Sequence, residues 1–207
     1  MDTIIGQNYF VEEYMDDRED LERSIELLQM ELEKFVNMHQ DEDLQEADAE
    51  VQNEAGLLLY TIGKNFYMLQ DYETAAEYFE TGLAFNLDVN DDYVLEMATA
   101  YGLSLLNCNK GREAIVLEAV YDFFDGQADF VFMMGLVYME QNQYEQAIME
   151  FAKASMLMDG KIAGANTYLS QYYTGMAREK QGRIEEARAM YAKAVDYEPA
   201  RERLANL

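Results

Sequence analysis

Between residues 18 and 39 apolar side chains return at spacings of four, three, four and three, at Leu21, Ile25, Leu28, Leu32 and Phe35. That period places them on one stripe of an α-helix. A polar, acidic run over residues 41–50 follows, and beyond it the apolar pattern becomes denser and repeats. Gly63, Gly102, Gly135 and Gly175 each sit inside an apolar run, and each is followed twelve residues later by an alanine: Ala75, Ala114, Ala147 and Ala187. Successive glycines are 39, 33 and 40 residues apart. A constant inner offset with a variable outer period describes a two-element unit joined to the next by connections of unequal length.

The residues around each pair agree. Leu59, Ile62, Gly63, Phe66, Tyr72, Ala75, Phe79 and Gly82 in the first unit answer to Val131, Met134, Gly135, Tyr138, Tyr144, Ala147, Phe151 and Ala154 in the third. The fourth has Gln171, Thr174, Gly175, Arg178, Ile184, Ala187, Tyr191 and Ala194, and Pro199 is expected to stop its last helix. The second is degenerate, with Ala98, Tyr101, Gly102, Leu105 and Ala114 in place but Glu118 where an aromatic is expected. Small residues let two antiparallel helices approach closely, and aromatics fill the space between successive pairs. Polar turns such as Gln141-Asn142-Gln143 and Gln181-Gly182-Arg183 separate the two helices of a pair.

This pattern resembles the tetratricopeptide repeat. Tyr144-Glu145-Gln146-Ala147-Ile148-Met149-Glu150-Phe151-Ala152-Lys153-Ala154 and Asp71-Tyr72-Glu73-Thr74-Ala75-Ala76-Glu77-Tyr78-Phe79 look like the second helix of that repeat. The resemblance implies an all-α fold, a right-handed superhelix of antiparallel helix pairs forming an α-solenoid. Four repeats are expected at about 56–89, 95–127, 128–161 and 168–201, together spanning 56–201. Residues 1–55 are expected to form a capping helix and an acidic connection, the run 41–50 being either that connection or the start of a long first helix, and 202–207 a C-terminal cap.

The formal net charge of −26 disfavours nucleic acid and anionic membrane surfaces as partners. It is uneven: residues 1–55 hold 18 acids against three bases, a balance of −15, whereas residues 178–207 hold seven bases and six acids, a balance of +1. Cys108 is the only cysteine, so no internal disulfide forms and a cytoplasmic setting is expected. The N-terminus lacks the basic, then apolar, layout of a signal peptide, and no run reaches the length of a membrane helix.

Candidate chemistry is sparse. Asp41-Glu42-Asp43 has the spacing of a metal-binding acid pair but lies in a helical charge run with no strand before it. Asp88-Val89-Asn90-Asp91-Asp92 begins like a calcium loop, but Tyr93 stands where glycine is needed and Thr99 where a bidentate glutamate is needed. His39 has no second histidine or cysteine cluster beside it. Cys108 has only Lys110 nearby to activate it. No catalytic residue, cofactor or metal is expected.

The face of the first helices is the one positive lead. Helical geometry turns residues four before, one after and four or five after each small glycine, with their neighbours, to one side. In the first unit these are Leu57, Tyr60, Lys64, Tyr67 and Met68, and in the second Thr99, Leu103 and Leu106. The third contributes Phe132, Leu136 and Met139, and the fourth Leu169, Tyr172, Met176 and Lys180. A lining this apolar points either to a bound peptide or helix, with Tyr and Met as anchors, or to cover by the chain's own termini or a second subunit. A protein or peptide partner is the leading expectation, and a homo-oligomer another. Lys64 and Asn65 alone do not make the lysine and asparagine clamp with which some tetratricopeptide domains hold a C-terminal carboxylate. A second resemblance concerns Arg23-Ser24-Ile25-Glu26-Leu27-Leu28-Gln29-Met30-Glu31-Leu32-Glu33 and Gly164-Ala165-Asn166-Thr167-Tyr168. They look like parts of the repeat region behind the catalytic domain of bacterial family-2 glycosyltransferases. It implies a non-catalytic accessory region of such an enzyme.

Overall fold

The computed structural model describes Gly6, Tyr9, Phe10 and residues 18–41, 43–158 and 160–207. Among these residues the regular structure is helical throughout: α1 (Arg18–Met38), α2 (Ala49–Met68), α3 (Tyr72–Leu83), α4 (Asp92–Asn107), a 3-10 segment (Glu113–Val120), α5 (Tyr121–Phe124), α6 (Ala128–Glu140), α7 (Tyr144–Ala154), α8 (Tyr168–Lys180), α9 (Ile184–Lys193) and α10 (Glu198–Asn206). None of these helices is long and apolar enough to cross a membrane. The chain divides into two compact units, residues 1–110 and 111–207. Within each, consecutive helices pack in sequence order, as in an α-solenoid, and the first helices of neighbouring repeats also touch, α2 with α4 and α6 with α8.

Each first helix ends in the same way. Seven residues after the small glycine stands a residue with positive φ: Gln70 (64°), Asn109 (63°), Asn142 (60°) and Gly182 (75°). The left-handed turn lets the next N–H reach back to the helix, Asp71 to the Phe66 carbonyl at 2.9 Å, Lys110 to Leu105 at 2.8 Å, Gln143 to Tyr138 at 2.9 Å and Arg183 to Arg178 at 2.9 Å. Four polar turns are thus one cap used four times. In three of the repeats the second helix then lays an aromatic ring over the small glycine sixteen residues earlier. A Cβ added at Gly63, Gly135 or Gly175 would lie 2.6, 2.5 or 2.6 Å from the ring of Phe79, Phe151 or Tyr191. All three rings are fully buried.

The second repeat shows what the missing aromatic does. Its first helix, α4, and its cap are intact, but the segment carrying Ala114 and Glu118 coils as a 3-10 segment rather than an α-helix. Glu118 is exposed and accepts a hydrogen bond from Tyr138 at 2.8 Å. A carboxylate cannot take the place of a buried ring. The helix pair expected over 95–127 is therefore half formed, and the division between the two units falls at this point.

Two boundaries differ from the expectation. The first helix of the first repeat begins at Ala49, because Asp48 accepts the N–H groups of Glu50 (3.1 Å) and Val51 (3.0 Å) as an N-cap. Pro199 does not stop α9, which ends at Lys193. It stands in the first turn of α10, where its missing N–H has no partner to lose. Asp88 closes a turn by accepting the backbone and side-chain N–H groups of Asn90, at 2.9 and 2.7 Å, which hold its carboxyl below the usual range.

The interior is rich in tyrosine. Burial raises the phenols of Tyr67, Tyr173 and Tyr191 far above their usual range. Burial and then the Asp91 charge push Tyr93 up to about 12, and burial and then its bond to Glu150 push Tyr121 up to about 12. Unfolded tyrosines ionise near pH ~10. Above that the unfolded chain releases phenolic protons that the folded chain keeps, so stability is full below about pH 10 and falls as pH rises towards about 12. Tyrosinate absorbance and helical circular dichroism, followed together, are expected to show a buried group of tyrosines ionising only as helicity is lost.

Candidate functional site

The face shared by α2 and α4 in the first unit is organised by tyrosines. The Tyr60 hydroxyl donates to Glu96 at 2.5 Å and the Tyr93 hydroxyl to the Asn53 side chain at 2.5 Å, so each bond ties the two helices together. On this face lie Gly6, Tyr9 and Phe10. The Phe10 ring stands edge-on to Tyr67 (centroids 5.3 Å apart) and Tyr60 (6.1 Å), with Tyr9 at 4.9 Å. The Lys64 ammonium sits 5.3 Å from the Phe10 centroid. The Gly6 carbonyl accepts from the Tyr67 hydroxyl at 2.7 Å and from the Tyr9 N–H at 2.8 Å. Gly6 adopts φ 66°, and a Cβ there would lie 2.8 Å from the Leu103 side chain, so only glycine fits so closely against α4.

Of the fifteen residues expected to line the groove, the structure therefore gathers Tyr60, Lys64, Tyr67 and Leu103 around Gly6 and Phe10. Thr99 is fully buried and donates to the Leu95 carbonyl at 2.9 Å, within its own helix. Leu57 is exposed, and Met68 and Leu106 are half-buried. In the second unit Phe132 and Leu136 are fully buried and Met139 nearly so. Phe132 packs against Phe151 (5.6 Å) and Tyr173 (5.7 Å), all three in the interior. These residues are core and not groove, because α6 is buried on every side from Ala128 to Val137. Its run Phe130-Val131-Phe132-Met133-Met134-Gly135-Leu136-Val137 has no polar face, which was the signal to read. Leu169 is half-buried. Tyr172 and Met176 pack against the buried cluster of Ala187, Tyr191, Ala194 and Ala200, to which α10 contributes.

Gly6, Tyr9 and Phe10 were not foreseen as part of a site. Adjacent aromatics in an otherwise acidic N-terminal stretch were the available sign.

Two tetratricopeptide repeat models match the chain, one over residues 128–157 and one over residues 169–200. The chain carries tetratricopeptide repeats at these two places. Repeats of this family serve as protein-interaction scaffolds, and that is the class of function the matches support. The tetratricopeptide fold is similar to the solved structure of MamA RS-1 ArsTM double mutant, at a TM-score of 0.56 and 20% identity, covering 91% of this chain and 98% of that one. At that identity the likeness concerns the fold alone. No curated protein matches the chain in sequence. Neither the repeat models nor the structural neighbour carries the resemblance of residues 23–33 to glycosyltransferase tails.

Burial raises the Cys108 thiol, and its Sγ lies 3.6 Å from the Leu105 carbonyl. The His39 ring lies tilted against Phe35, centroids 4.7 Å apart. The polar network of the second unit joins Tyr121 to Glu150 (2.6 Å) and Lys153 to Asp125 (2.6 Å), closing the short segment around α5 onto α7. Among the described residues no group of three or more His, Cys, Asp or Glu side chains gathers to hold a metal ion.

Proposed function

We propose that the chain is a protein-interaction scaffold whose first unit recognises an aromatic peptide on the α2–α4 face, and that Gly6, Tyr9 and Phe10 occupy that face as an internal stand-in. One observation carries the reading: the face already holds an aromatic ring and a backbone carbonyl from elsewhere in the chain, Phe10 between Tyr60 and Tyr67 and the Gly6 carbonyl on the Tyr67 hydroxyl. These are the elements of peptide recognition, an aromatic anchor for affinity and a main-chain hydrogen bond for register.

A labelled peptide of residues 1–12 tests it. The peptide is expected to bind a chain that begins at Arg18 and not the full chain, where the tethered copy competes at an effective concentration in the millimolar range. Tyr67→Phe in the shortened chain removes one hydrogen bond and is expected to weaken the peptide roughly two- to tenfold, about 0.5–1.5 kcal/mol. A shortened chain that keeps its helicity and ignores the peptide would sink the reading.

A further inference from the structure

The helix α1 turns Leu21, Ile25 and Phe35 inward. It carries a second apolar line beside them that nothing among the described residues covers: Leu27 is 61% exposed, Met30 54% and Met38 74%. These three residues, with half-buried Leu58 of α2 and buried Phe35 as a floor, border a groove of about 400 Å³ between α1 and α2. Leu27 to Met38 spans eleven residues, about 16 Å at 1.5 Å per residue, which is three turns of helix. Exposed Met and Leu in a line suit an adaptable helix-binding surface, since thioether side chains repack around varied partners.

The charge around the groove selects the partner. Glu31 and Glu54 stand at its edge, and among the described residues Lys34 is the one cation lining it. Glu26, Glu33 and Glu50 are exposed on the same two helices. Residues 1–55 as a whole carry a balance of −15. A second copy of the chain, itself at −26, and an anionic membrane surface are both repelled. We infer that this groove docks a basic amphipathic helix of about three turns, whose apolar stripe enters between Leu27, Met30, Met38 and Leu58 and whose lysines or arginines face Glu31 and Glu54. This surface shares no residue with the α2–α4 face.

The test uses the full chain and an amidated Leu/Lys peptide of about 14 residues with leucines at helical spacing, read by fluorescence anisotropy. The peptide is expected to bind, and to bind less well as salt is raised. Changing Leu27→Ser and Met30→Ser together should weaken it at least tenfold, about 1.4 kcal/mol, with the melting temperature unchanged because both side chains are exposed. Glu54→Lys should weaken it severalfold and Lys34→Ala should tighten it. The residues 1–12 peptide, offered to the chain beginning at Arg18, should be insensitive to the serine pair, so a failure here is distinguishable from a failure of the α2–α4 reading. Equal binding of a Leu/Glu peptide would overturn the inference, since charge would then not select the partner, and so would undiminished Leu/Lys binding by the serine variant, which would leave only diffuse charge attraction. A dimer in light scattering that the serine pair dissociates would also overturn it, by giving the groove to a second copy.

Discussion

Replacing Gly135 with alanine is expected to destabilise the second unit, although alanine is the better helix former. In an open helix the exchange gains about 1 kcal/mol. Here the new Cβ would lie 2.5 Å from Cε1 and 2.7 Å from Cδ1 of Phe151, a ring that is itself fully buried and packed against Phe132 and Tyr173 at 5.6 and 5.8 Å. The ring has no solvent side into which to move. Overpacking of this kind costs about 1–3 kcal/mol, so the gain is cancelled or exceeded. Leucine at the same position cannot be accommodated without separating α6 from α7, and its cost should exceed that of alanine. The cause can be isolated. Phe151→Leu alone opens space and costs stability as a large-to-smaller core change. Combined with Gly135→Ala it should cost less than the two separately, because the smaller side chain makes room for the methyl group. Denaturant unfolding of the four proteins checks this. A Gly135→Ala variant more stable than the parent by about 1 kcal/mol would show that the close approach does not constrain the helix pair.

That contact also explains which parts of the fold could be read from the sequence. The Gly-to-Ala offset of twelve marks where each second helix should begin. The aromatic sixteen residues after the glycine decides whether it forms, and Glu118 marked the exception in advance. The turn residues Gln70, Asn109, Asn142 and Gly182 occupy one register position but are of three residue types, because glycine and several polar residues tolerate a left-handed conformation. Their common role appears only in the backbone. Pro199 was ambiguous because proline both follows one helix and opens another, and the spacer after Lys193 decides between the two. The face of the first helices was half legible. Helical phase placed Tyr60, Lys64, Tyr67 and Leu103 together, but phase alone cannot separate a lining from a core. Phe132 and Leu136 have the same phase as Tyr60 and Lys64 and lie in the interior, because the helix around them has no polar side. The segment on the face was not legible, since Tyr67 and Gly6 meet across 61 residues and no local pattern encodes that pairing.

Phe10→Ala in the full chain is expected to increase affinity for an added aromatic peptide, the reverse of what loss of a contact residue usually does. On the reading proposed here Phe10 belongs to the occupant of the α2–α4 face rather than to the face. Its ring is 3% exposed, held by Tyr60, Tyr67 and the Lys64 ammonium. Burying such a ring contributes about 1.5–3 kcal/mol, which corresponds to a ratio of docked to open segment larger by roughly ten- to a hundredfold. A competing ligand sees its apparent dissociation constant raised by that ratio, because only the open fraction can accept it. Truncating Phe10 removes most of the competition, so the labelled residues 1–12 peptide should bind the Phe10→Ala chain roughly ten- to a hundredfold more tightly than the parent. Tyr60→Ala and Tyr67→Ala act on the face itself and should weaken the peptide in the chain beginning at Arg18. The opposite signs separate occupant from receptor. If Phe10 is instead an ordinary core residue, Phe10→Ala should lower the melting of the whole first unit and leave peptide affinity unchanged. Circular dichroism melting beside the anisotropy titration distinguishes the two, and a large loss of stability without any gain in affinity would refute the internal stand-in.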